Sequence, residues 1–417
     1  MTRSLAIDFG TSNTAVAILD GGMVRRVPVE AGSDTLPTAV FFPADRGSMR
    51  IGDGAARALI GGEEGRYMRA LKSVLGTPLL HESRLIAGRR RTLSDVITAF
   101  LIELRQRAEA ATGQRHSRVL SGRPVHFHPD PARDAGAESD LRACYHAAGF
   151  DHVAFLPEPE AAALACHGMG AAGRTGLIVD IGGGTSDFSV YRTEGGRVRI
   201  LASFGIRLGG TDFDGAVSLS HAMPLLGHGS QLRREMGPGL LPVPNAIYVD
   251  LATWAQIPFV YTPENRRLAQ QMARLAVEPE RLDRLVSMLT DELGHDLAFA
   301  VERGKIAANG GTDARIDMAF IQPRLAAPIC QASLHRALQA YGAELEGAVA
   351  ETLARAGVCA AGIGDVVMVG GSSLMRLVTD LASRMMPGAR LHRSEAFTAV
   401  VDGLALATGT EQCSTGC

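Results

Sequence analysis

Residues 177–205 read LIVDIGGGTSDFSVYRTEGGRVRILASFG and carry the densest structural signal in the chain. An apolar run ends at Asp180, a turn with three glycines follows, and a glycine pair then separates two alternating apolar segments. Apolar alternation bounded by glycine turns is typical of antiparallel strands that are joined by hairpins. The stretch therefore predicts a three-stranded meander whose first turn bears an acid and small hydroxylated residues.

The same pattern occurs near the amino terminus, where residues 5–30 read LAIDFGTSNTAVAILDGGMVRRVPVE. The first strand ends at Asp8, the next turn contains Thr-Ser, and a glycine pair again separates the second and third strands. A pattern that repeats in this order indicates an internal duplication. Further strands and helical patterns follow each meander, including a helix predicted over residues 93–112. Strands with helices packed on them predict the α/β class with mixed sheets.

The duplication divides the chain into two lobes. We expect lobe I to comprise residues 1–170 and 392–417, and lobe II to comprise residues 171–391. Ligands prefer clefts between such lobes. We therefore expect the functional site in the crevice between them.

Within lobe II the apolar periodicity predicts helices over about 281–308 and 331–356, a strand over 365–369, and a Gly-Gly-Ser turn leading into another helix. Residues 222–268 break this pattern, because they are rich in glycine and proline and contain the only tryptophan. We expect this segment to be an irregular, surface-exposed insertion.

The composition excludes several classes of protein. Of the 417 residues, 46% are hydrophobic and 21% are charged, with a net charge of -2. No basic excess favours nucleic acid as a partner, and no apolar run is long enough to cross a membrane. The first residues lack the charged-then-apolar pattern of a signal segment, and the six cysteines are scattered, so we expect neither a signal peptide nor a disulfide framework. We expect a cytoplasmic monomer.

Residues 180–187, DIGGGTSD, combine glycines, hydroxyls and carboxylates in one turn. Consecutive glycines let the backbone approach a ligand and direct N–H groups toward it, and the Thr-Ser pair adds hydroxyl donors. A carboxylate beside a phosphate is repelled unless a cation intervenes, so Asp180 and Asp187 indicate Mg²⁺ with bound waters. Residues 8–13, DFGTSN, form a second loop of this kind. Two such loops facing each other would hold a polyphosphate from both sides.

Either loop alone could be a simple hairpin turn, because Asp-Gly and Gly-Gly turns are common. Their matching places in two meanders favour phosphate binding. A P-loop does not fit, because neither GxxxxGKS nor GxxxxGKT occurs and a strand follows the glycines where a P-loop has a helix. A third glycine turn, residues 369–373, allows two interpretations: it places a helix N-terminus beside a nucleotide, or it lets a strand and a helix pack closely.

These motifs together resemble the nucleotide-binding domain of the DnaK-type heat-shock chaperones, the heat shock protein 70 family. The resemblance extends from Asp8 to about Ala407. Within the family, the chain is similar in particular to the short members of the YegD type. The segments that carry it are AIDFGTSN, LKSVLG, SGRPVHF, LPEPEAAALA, VDIGGGTSDFSV, RLGGTDFD, VERGKIAA and VVMVGGSS. The resemblance implies a duplicated ribonuclease H-like (actin-like ATPase) fold, two lobes with a nucleotide cleft, and ATP or ADP with Mg²⁺ as cofactors.

The resemblance also implies roles for the matched residues. Asp8 and Asp180 would arrange Mg²⁺ through waters. Lys72 matches a lysine that reaches the γ-phosphate and the attacking water, Glu158 matches a glutamate of the metal and water network, and Asp187 matches an acid near that water. Such groups position a water and offset developing charge. The residues implied to lie beside the phosphates or to approach the nucleotide are Gly10, Thr11, Ser12, Asn13, Gly182, Gly183, Gly184, Thr185, Gly209, Gly210, Gly370, Gly371 and Ser372.

Two of these residues also have simpler interpretations. Lys72 could be a solvated side chain, although it is one of only two lysines in the chain. Glu158 could merely favour the N-terminus of the helix that follows it.

The chain departs from the family pattern at the positions that contact the adenosine of the nucleotide. Glu302 and Lys305 match residues that hydrogen-bond the ribose, and Asn309 replaces a serine that meets the base. Ile306 replaces an arginine that stacks on adenine, and Leu374 replaces a second arginine. Loss of such stacking removes about 1 kcal/mol of interaction. We therefore expect weaker nucleotide binding or a relaxed base preference.

The implied function is that of an ATP-binding, slowly hydrolysing, chaperone-like protein whose lobes open and close with the nucleotide and act on an unidentified protein partner. The chain ends after GLALATGTEQCSTGC. We therefore expect neither the linker nor the peptide-binding domain of full-length chaperones. Pro124 matches a proline that relays the nucleotide state. Two alternatives stay open, a sugar or acid kinase of the same superfamily and a nucleotide-bound scaffold or filament protein.

Overall fold

A computed structural model describes residues 4–45, 47–128, 130–165, 174–194, 197–393 and 398–414. The chain divides into two compact units, Met1–Gly210 with Ala343–Cys417, and Thr211–Gly342. These units do not coincide with the predicted lobes, because unit 1 contains both meanders. The lobe boundaries stay a prediction. Within the described ranges, no helix has the length and apolar character that crossing a bilayer requires.

The first part of unit 1 is built on the amino-terminal meander. Its strands are β1 (Leu5–Phe9), β2 (Asn13–Asp20), β3 (Met23–Arg26), β4 (Thr35–Pro37), β5 (Ala39–Pro43), β6 (Arg50–Ile51), β7 (Gly65–Arg69), β8 (Arg84–Ile86), β9 (Arg89–Arg91), β10 (Arg118–Arg123) and β11 (His152–Pro157). The main sheet has the order β11-β10-β1-β2-β3, with β4 paired to β2. The meander strands are antiparallel, as predicted, whereas β1, β10 and β11 are parallel. Strands β6-β5-β7 form a smaller sheet, and β8 pairs with β9.

Within the described residues, this part of unit 1 contains four α-helices and two 3₁₀-helices. They are α1 (Asp53–Ile60), α2 (Leu93–Thr112), α3 (Pro131–Ala147) and α4 (Glu158–Ala165), with 3₁₀-helices at Leu71–Val74 and Pro78–His81. The helix predicted over residues 93–112 is confirmed as α2. Its start is fixed by a capping box, in which Asp95 N donates to Thr92 Oγ1 and Thr92 N donates to the Asp95 carboxylate. Its end is fixed by Gly113, which has a left-handed φ of 68°.

The second meander continues the chain and starts the second main sheet. The remaining strands are β12 (Thr175–Ile181), β13 (Ser186–Glu194), β14 (Arg197–Ile206), β15 (Gln231–Arg233), β16 (Leu240–Pro242), β17 (Ala314–Asp317), β18 (Ala326–Ile329), β19 (Asp365–Val369) and β20 (Arg390–His392). The sheet has the order β14-β13-β12-β19-β20, with β12, β13 and β14 antiparallel and β12, β19 and β20 parallel. Both sheets therefore begin with an antiparallel meander and continue with parallel strands, which confirms the α/β class and the duplication.

The remaining helices are α5 (Gly210–Val217), α6 (Ala246–Ala252), α7 (Ile257–Val260), α8 (Pro263–Leu275), α9 (Pro279–Thr290), α10 (Gly294–Asn309), α11 (Gln331–Ala356), α12 (Arg376–Met385) and α13 (Ala399–Ser414). Shorter helical turns are Ser218–Ala222, Met223–Leu226, Ala360–Gly362 and Gly371–Leu374. The helix predicted over 331–356 is confirmed as α11, and the strand predicted over 365–369 is confirmed as β19.

The single helix predicted over 281–308 is wrong, because α9 and α10 are separate helices. Glu292 between them has a left-handed φ of 58°. The hydroxyl of Tyr261 lies in the break, where it donates to the carbonyl of Glu292 at 3.1 Å and accepts from Gly294 N at 2.9 Å. A side chain that satisfies freed backbone groups in this way is a common cause of helix interruption.

The core of unit 1 lies where α4 and α13 pack on each other. Helix α13 contacts β1, β2 and β10, and α4 contacts β12 and β13. Their buried residues form one cluster with apolar side chains from both main sheets, such as Leu120 and Ile178. A Cβ on Gly403 would overlap the carbonyl of Ala161, so the two helices approach as closely as glycine allows.

The expectation that residues 222–268 are irregular is wrong, and the expectation that they are exposed holds only in part. In unit 2 this segment forms the β15–β16 hairpin, the short helices α6 and α7, and the start of α8. Tyr248 and Trp254 are among its buried side chains, with 0% and 2% of their surface exposed. Exposed side chains occupy the hairpin, residues 233–242, and the outer positions of the short helices, and Met236 is 88% exposed. The glycine and proline content misled the prediction because these residues lie between helices that are too short for periodicity to reveal.

Candidate functional site

The two predicted phosphate loops have the same backbone geometry. In the first loop, Gly10 N donates to the carbonyl of Asn13 at 3.0 Å, and in the second, Gly182 N donates to the carbonyl of Thr185 at 3.0 Å. Each glycine lies two positions after the acid that ends the apolar part of its strand. The duplication therefore extends to individual hydrogen bonds.

The second loop places two carboxylates side by side. Asp180 on β12 lies directly opposite Asp187 on β13. In the first meander the residue opposite Asp8 is Ala15, so that copy has a single acid. Like charges at directly opposite strand positions are destabilising. The second loop is thus a place where a nearby cation would stabilise the sheet.

The two loops lie against each other within unit 1. A Cβ on Gly183 would overlap Ser12 Oγ and lie 3.0 Å from Thr11 Cβ. A Cβ on Gly184 would lie 3.0 Å from Thr11 Oγ1. The glycines are therefore required for the backbone of the second loop to approach the hydroxyls of the first. The structure brings the two loops together.

The glycine pair before α5 packs on the second loop. Gly210 N donates to the carbonyl of Gly182 at 2.9 Å. A Cβ on Gly209 would lie 2.6 Å from the carbonyl carbon of Gly183, and a Cβ on Gly210 would overlap Ser372 Oγ. Bare backbone from these turns thus surrounds the second loop.

The turn after β19 supports the close-packing interpretation. Gly370 has a φ of 76°, and a Cβ there would overlap the carbonyl of Ile181 at the end of β12. Gly371–Leu374 forms a 3₁₀-helix of four residues, so Leu374 lies at its end. Whether Gly370, Gly371 and Ser372 also contact a nucleotide stays a prediction.

Lys72 and Glu158 form a buried ion pair. Lys72 Nζ donates to Glu158 Oε1 at 2.6 Å, and the two residues are 7% and 8% exposed. Lys72 lies in the 3₁₀-helix Leu71–Val74, and Glu158 is the first residue of α4, directly after β11. The Lys72 ammonium also lies 5.9 Å from the ring centre of Phe127. The simpler interpretation of Lys72 as a solvated side chain is wrong.

Asp187 is held by a backbone donor that the sequence did not suggest. Val125 N, the residue after Pro124, donates to Asp187 Oδ1 at 2.8 Å. Asp187 is 1% exposed, and its Oδ2 makes no hydrogen bond of normal geometry to the described residues. The hydroxyl of Thr185 is close enough to lower the pKa of this carboxyl slightly. One buried carboxylate oxygen is thus directed into the site without a firm protein donor.

The site contains more negative than positive charge. Burial raises the pKa of Asp8 to about 7 and the pKa of Asp187 to about 8, and the charge of Glu158 adds to both shifts. Burial also raises the pKa of Asp180, and Glu158, Asp187 and Asp8 add to that rise. For Lys72, burial favours a lower pKa, but the charges of Glu158 and Asp8 outweigh it and raise the pKa. Four carboxylates therefore act on one another around one ammonium.

This set of donors fits a hydrated Mg²⁺ ion. Mg²⁺ prefers oxygen ligands and is usually bound by one or two carboxylates, several waters and substrate phosphates. Among the residues described, no three His, Cys, Asp or Glu side chains come together as direct metal ligands. The carboxylates thus fit a cation that waters and phosphates coordinate, rather than one enclosed by protein alone.

The residues predicted to contact the adenosine lie in unit 2. Glu302, Lys305 and Asn309 all belong to α10. Lys305 is 6% exposed and its Nζ lies 2.7 Å from Asp214 Oδ1, whereas Ile306 is 60% exposed. Their contact with a nucleotide stays a prediction.

Sequence reasoning missed the partners of Lys305. Asp214 occupies the end of the motif RLGGTDFD, whose glycines alone received a role. Trp254 donates its indole N–H to Asp214 Oδ2 at 3.2 Å, although the segment around it was expected to be exposed. A buried role was suggested only by its being the sole tryptophan of the chain.

Comparison with known families agrees with this geometry. The family model described as Hsp70 protein matches residues 4–224, which is more than half of the chain. The match covers both glycine loops, Lys72 and Glu158. The chain therefore belongs to the Hsp70 family, and an ATP-binding, chaperone-like function follows from that membership in general terms.

Proposed function

We propose that this protein binds ATP together with Mg²⁺ at the two glycine loops, hydrolyses ATP slowly, and uses the nucleotide state as a switch. The observation that carries the proposal is the buried Lys72–Glu158 pair among three further carboxylates, Asp8, Asp180 and Asp187. A polyphosphate with a divalent cation brings both the positive charge and the oxygen ligands that this cluster lacks. A cluster with this imbalance has no evident structural role.

Each residue of the cluster has a distinct place in the proposal. Asp8 and Asp180 would hold Mg²⁺ through waters, and the ion would offset charge on the phosphates. The Lys72 ammonium supplies a positive charge that Glu158 orients, and it would reach the outermost phosphate. Asp187 presents the free Oδ2 lone pairs that can accept a hydrogen bond from a water molecule. These groups would position the attacking water and polarise the phosphates, which is most of the protein's task in phosphoryl transfer.

The phosphates of the nucleotide would contact the backbone of the glycine turns, and its ribose and base would contact α10. Backbone at Gly183, Gly209 and Gly210 is bare enough for phosphates to approach. From the family resemblance, Glu302 and Lys305 would bind the ribose, and Asn309 would lie near the base. We expect a relaxed base preference, because no arginine stands at positions 306 and 374.

The output of the switch would be read by another protein. Val125 N donates to Asp187, and the residue before it is Pro124, so the segment that follows β10 is hydrogen-bonded to a carboxylate of the proposed site. We propose a protein of the YegD type, in which an unidentified partner protein responds to this change. A monomer with Mg²⁺-dependent turnover suffices for that role.

Calorimetric titration with ATP, ADP and GTP, each with and without Mg²⁺, tests the proposal. We expect saturable binding of ATP and ADP that strengthens with Mg²⁺, together with slow phosphate release from ATP alone. Absence of nucleotide binding would contradict the proposal. Phosphate transfer that requires an added sugar or carboxylic acid would instead favour the kinase alternative.

A further inference from the structure

Unit 2 contains a buried polar group that links three segments of the chain. Asp214, in the second half of α5, accepts from Trp254 through Oδ2 at 3.2 Å and pairs with Lys305 through Oδ1 at 2.7 Å. Asp214, Trp254 and Lys305 are 4%, 2% and 6% exposed. Both carboxylate oxygens are thus engaged, one by the segment 222–268 and the other by α10.

The group is held tightly on the tryptophan side. The Trp254 ring meets Phe299 edge to face, with centroids 5.2 Å apart, and lies 6.2 Å from the His295 ring. Such aromatic contacts fix the ring plane and therefore the direction of the indole N–H. A carboxylate that accepts from a fixed donor has its own orientation fixed, and its second oxygen then defines where the Lys305 ammonium lies.

The charges of Lys305 and Glu302 both act on the buried carboxylate of Asp214. Burial raises the pKa of Asp214, the charge of Lys305 opposes that rise, and the charge of Glu302 adds to it. Glu302 therefore lies close to the same carboxylate. Both residues proposed to bind the ribose, Glu302 and Lys305, are thus near Asp214. A buried ion pair that loses a supporting hydrogen bond leaves its charges less well compensated.

We propose that Asp214 and Trp254 are positioning residues for Lys305, so that segment 222–268 contributes to nucleotide affinity. This inference rests on the proposed function, because it requires that Lys305 contacts the nucleotide. It assigns a role to the one segment that the family resemblance does not match. The chain has a single tryptophan, so the emission of Trp254 reports directly on this network.

The test compares two variants of the full chain that each lose one buried hydrogen bond in the same segment. Trp254→Phe removes the donor to Asp214 and keeps an aromatic ring. Tyr248→Phe removes a buried hydroxyl that donates to the carbonyl of Leu226 at 3.0 Å and does not touch Asp214. Thermal unfolding, calorimetric titration with Mg·ATP, and tryptophan emission of the wild type are measured.

We expect both variants to be less stable than the wild type, but only Trp254→Phe to bind Mg·ATP more weakly, by about tenfold, the smallest effect typical of losing one hydrogen bond to a charged group. In the wild type, Mg·ATP should change the emission of Trp254. Asp214→Asn, which keeps an acceptor for the indole but removes the charge that holds Lys305, should reduce both the affinity and the emission change.

Three results would overturn the inference. Wild-type affinity in Trp254→Phe would exclude a positioning role, and an equal loss in Tyr248→Phe would show a structural role only. Unchanged emission at saturating Mg·ATP in a protein that binds ATP would show that the network does not sense the ligand. A wild type that binds no nucleotide at all would overturn the proposed function, and this inference with it.

Discussion

Lys72 is the residue on which the chemistry of the site most depends. It carries the positive charge among Asp8, Glu158, Asp180 and Asp187, and the charges of Glu158 and Asp8 outweigh burial and raise its pKa. Lysines are rare in this chain, which has two among 42 basic residues, so the arginine that is used elsewhere does not replace it here. A compact ammonium fits a buried pair beside phosphates better than a planar guanidinium.

Replacing Lys72 by alanine should separate binding from turnover. Lys72→Ala removes the charge that offsets the developing phosphate charge, so we expect phosphate release to fall by about a hundredfold or more. ATP should still bind, because the glycine loops and Mg²⁺ remain. Single-turnover hydrolysis and calorimetry measure the two effects. Arg50→Ala, which removes an exposed ion pair with Glu63, is the matched control and should change neither. Equal turnover in Lys72→Ala and wild type would refute the role.

Asp187 should lower the stability of the nucleotide-free protein as the pH rises. Its pKa is about 8 in the folded state and near 3.8 when unfolded, so the folded state binds more protons between these values. The free energy of unfolding therefore falls as the pH rises through this window. Asp187→Asn removes that loss. We expect the variant to exceed the wild type in stability at pH 8 and by less at pH 5, with the advantage growing by roughly 1.4 kcal/mol per pH unit across this window.

Denaturant unfolding at the two pH values measures the difference. Asp283→Asn changes an exposed acid on α9 and serves as the control, which should show no gain that grows with pH. A gain for Asp187→Asn that is the same at pH 5 and pH 8, or a loss at pH 8, would contradict the charge imbalance that we infer.

At the scale of elements, the position of the site depends on how α4 meets α13. Helix α4 begins with Glu158, so any shift of α4 moves the partner of Lys72. Gly403 on α13 sets the approach, because a Cβ there would overlap the carbonyl of Ala161. Close packing between helices leaves no room to absorb an added methyl group without moving the backbone.

Gly403→Ala should therefore destabilise the protein by about 3 kcal/mol, the upper part of the range for overpacking. Gly347→Ala is the matched control, because that glycine is also helical but a Cβ there meets nothing within 4 Å. It should stabilise the protein by about 0.5 to 1 kcal/mol through helix propensity. Thermal and denaturant unfolding of both variants test the pair. Equal effects of the two substitutions would show that α4 and α13 are not in close contact.

The sequence predicted those elements well whose signals are local. Helix α2 has a capping box and a terminal glycine, and α11 is long and periodic, so their bounds were predicted correctly. The break between α9 and α10 was not predictable, because it depends on the hydroxyl of Tyr261, which lies far away in sequence. Strand β10 ends at Arg123, because the proline that follows cannot donate to the sheet.

The candidate site was predictable in its acids and glycines but not in its supports. Asp8 and Asp180 stand at the same place in two copies of one motif, so repetition made them visible. The Val125 amide that holds Asp187, and the Trp254 indole that holds Asp214, are brought there by the fold and leave no pattern in the sequence. A backbone N–H or an indole N–H supports a carboxylate only when tertiary contacts bring the two together.

At the scale of the whole molecule, one duplicated meander supplies both loops of the proposed phosphate site. The copies keep the same loop hydrogen bond and bring their hydroxyls and glycines into contact. They differ in charge, because Asp187 stands where the first copy has Ala15. The additional carboxylate, that of Asp187, therefore belongs to the second meander. Lys72 comes from a segment that follows the first meander.

The most direct measurement is the Mg²⁺ dependence of ATP affinity in the wild type, Asp8→Asn, Asp180→Asn and the double variant. If the two acids hold one hydrated ion against one triphosphate, each single variant should lose most of the strengthening by Mg²⁺, and the double variant should lose little more, because the sites act as a unit. An unchanged Mg²⁺ requirement in either single variant, or fully additive losses in the double variant, would contradict the account.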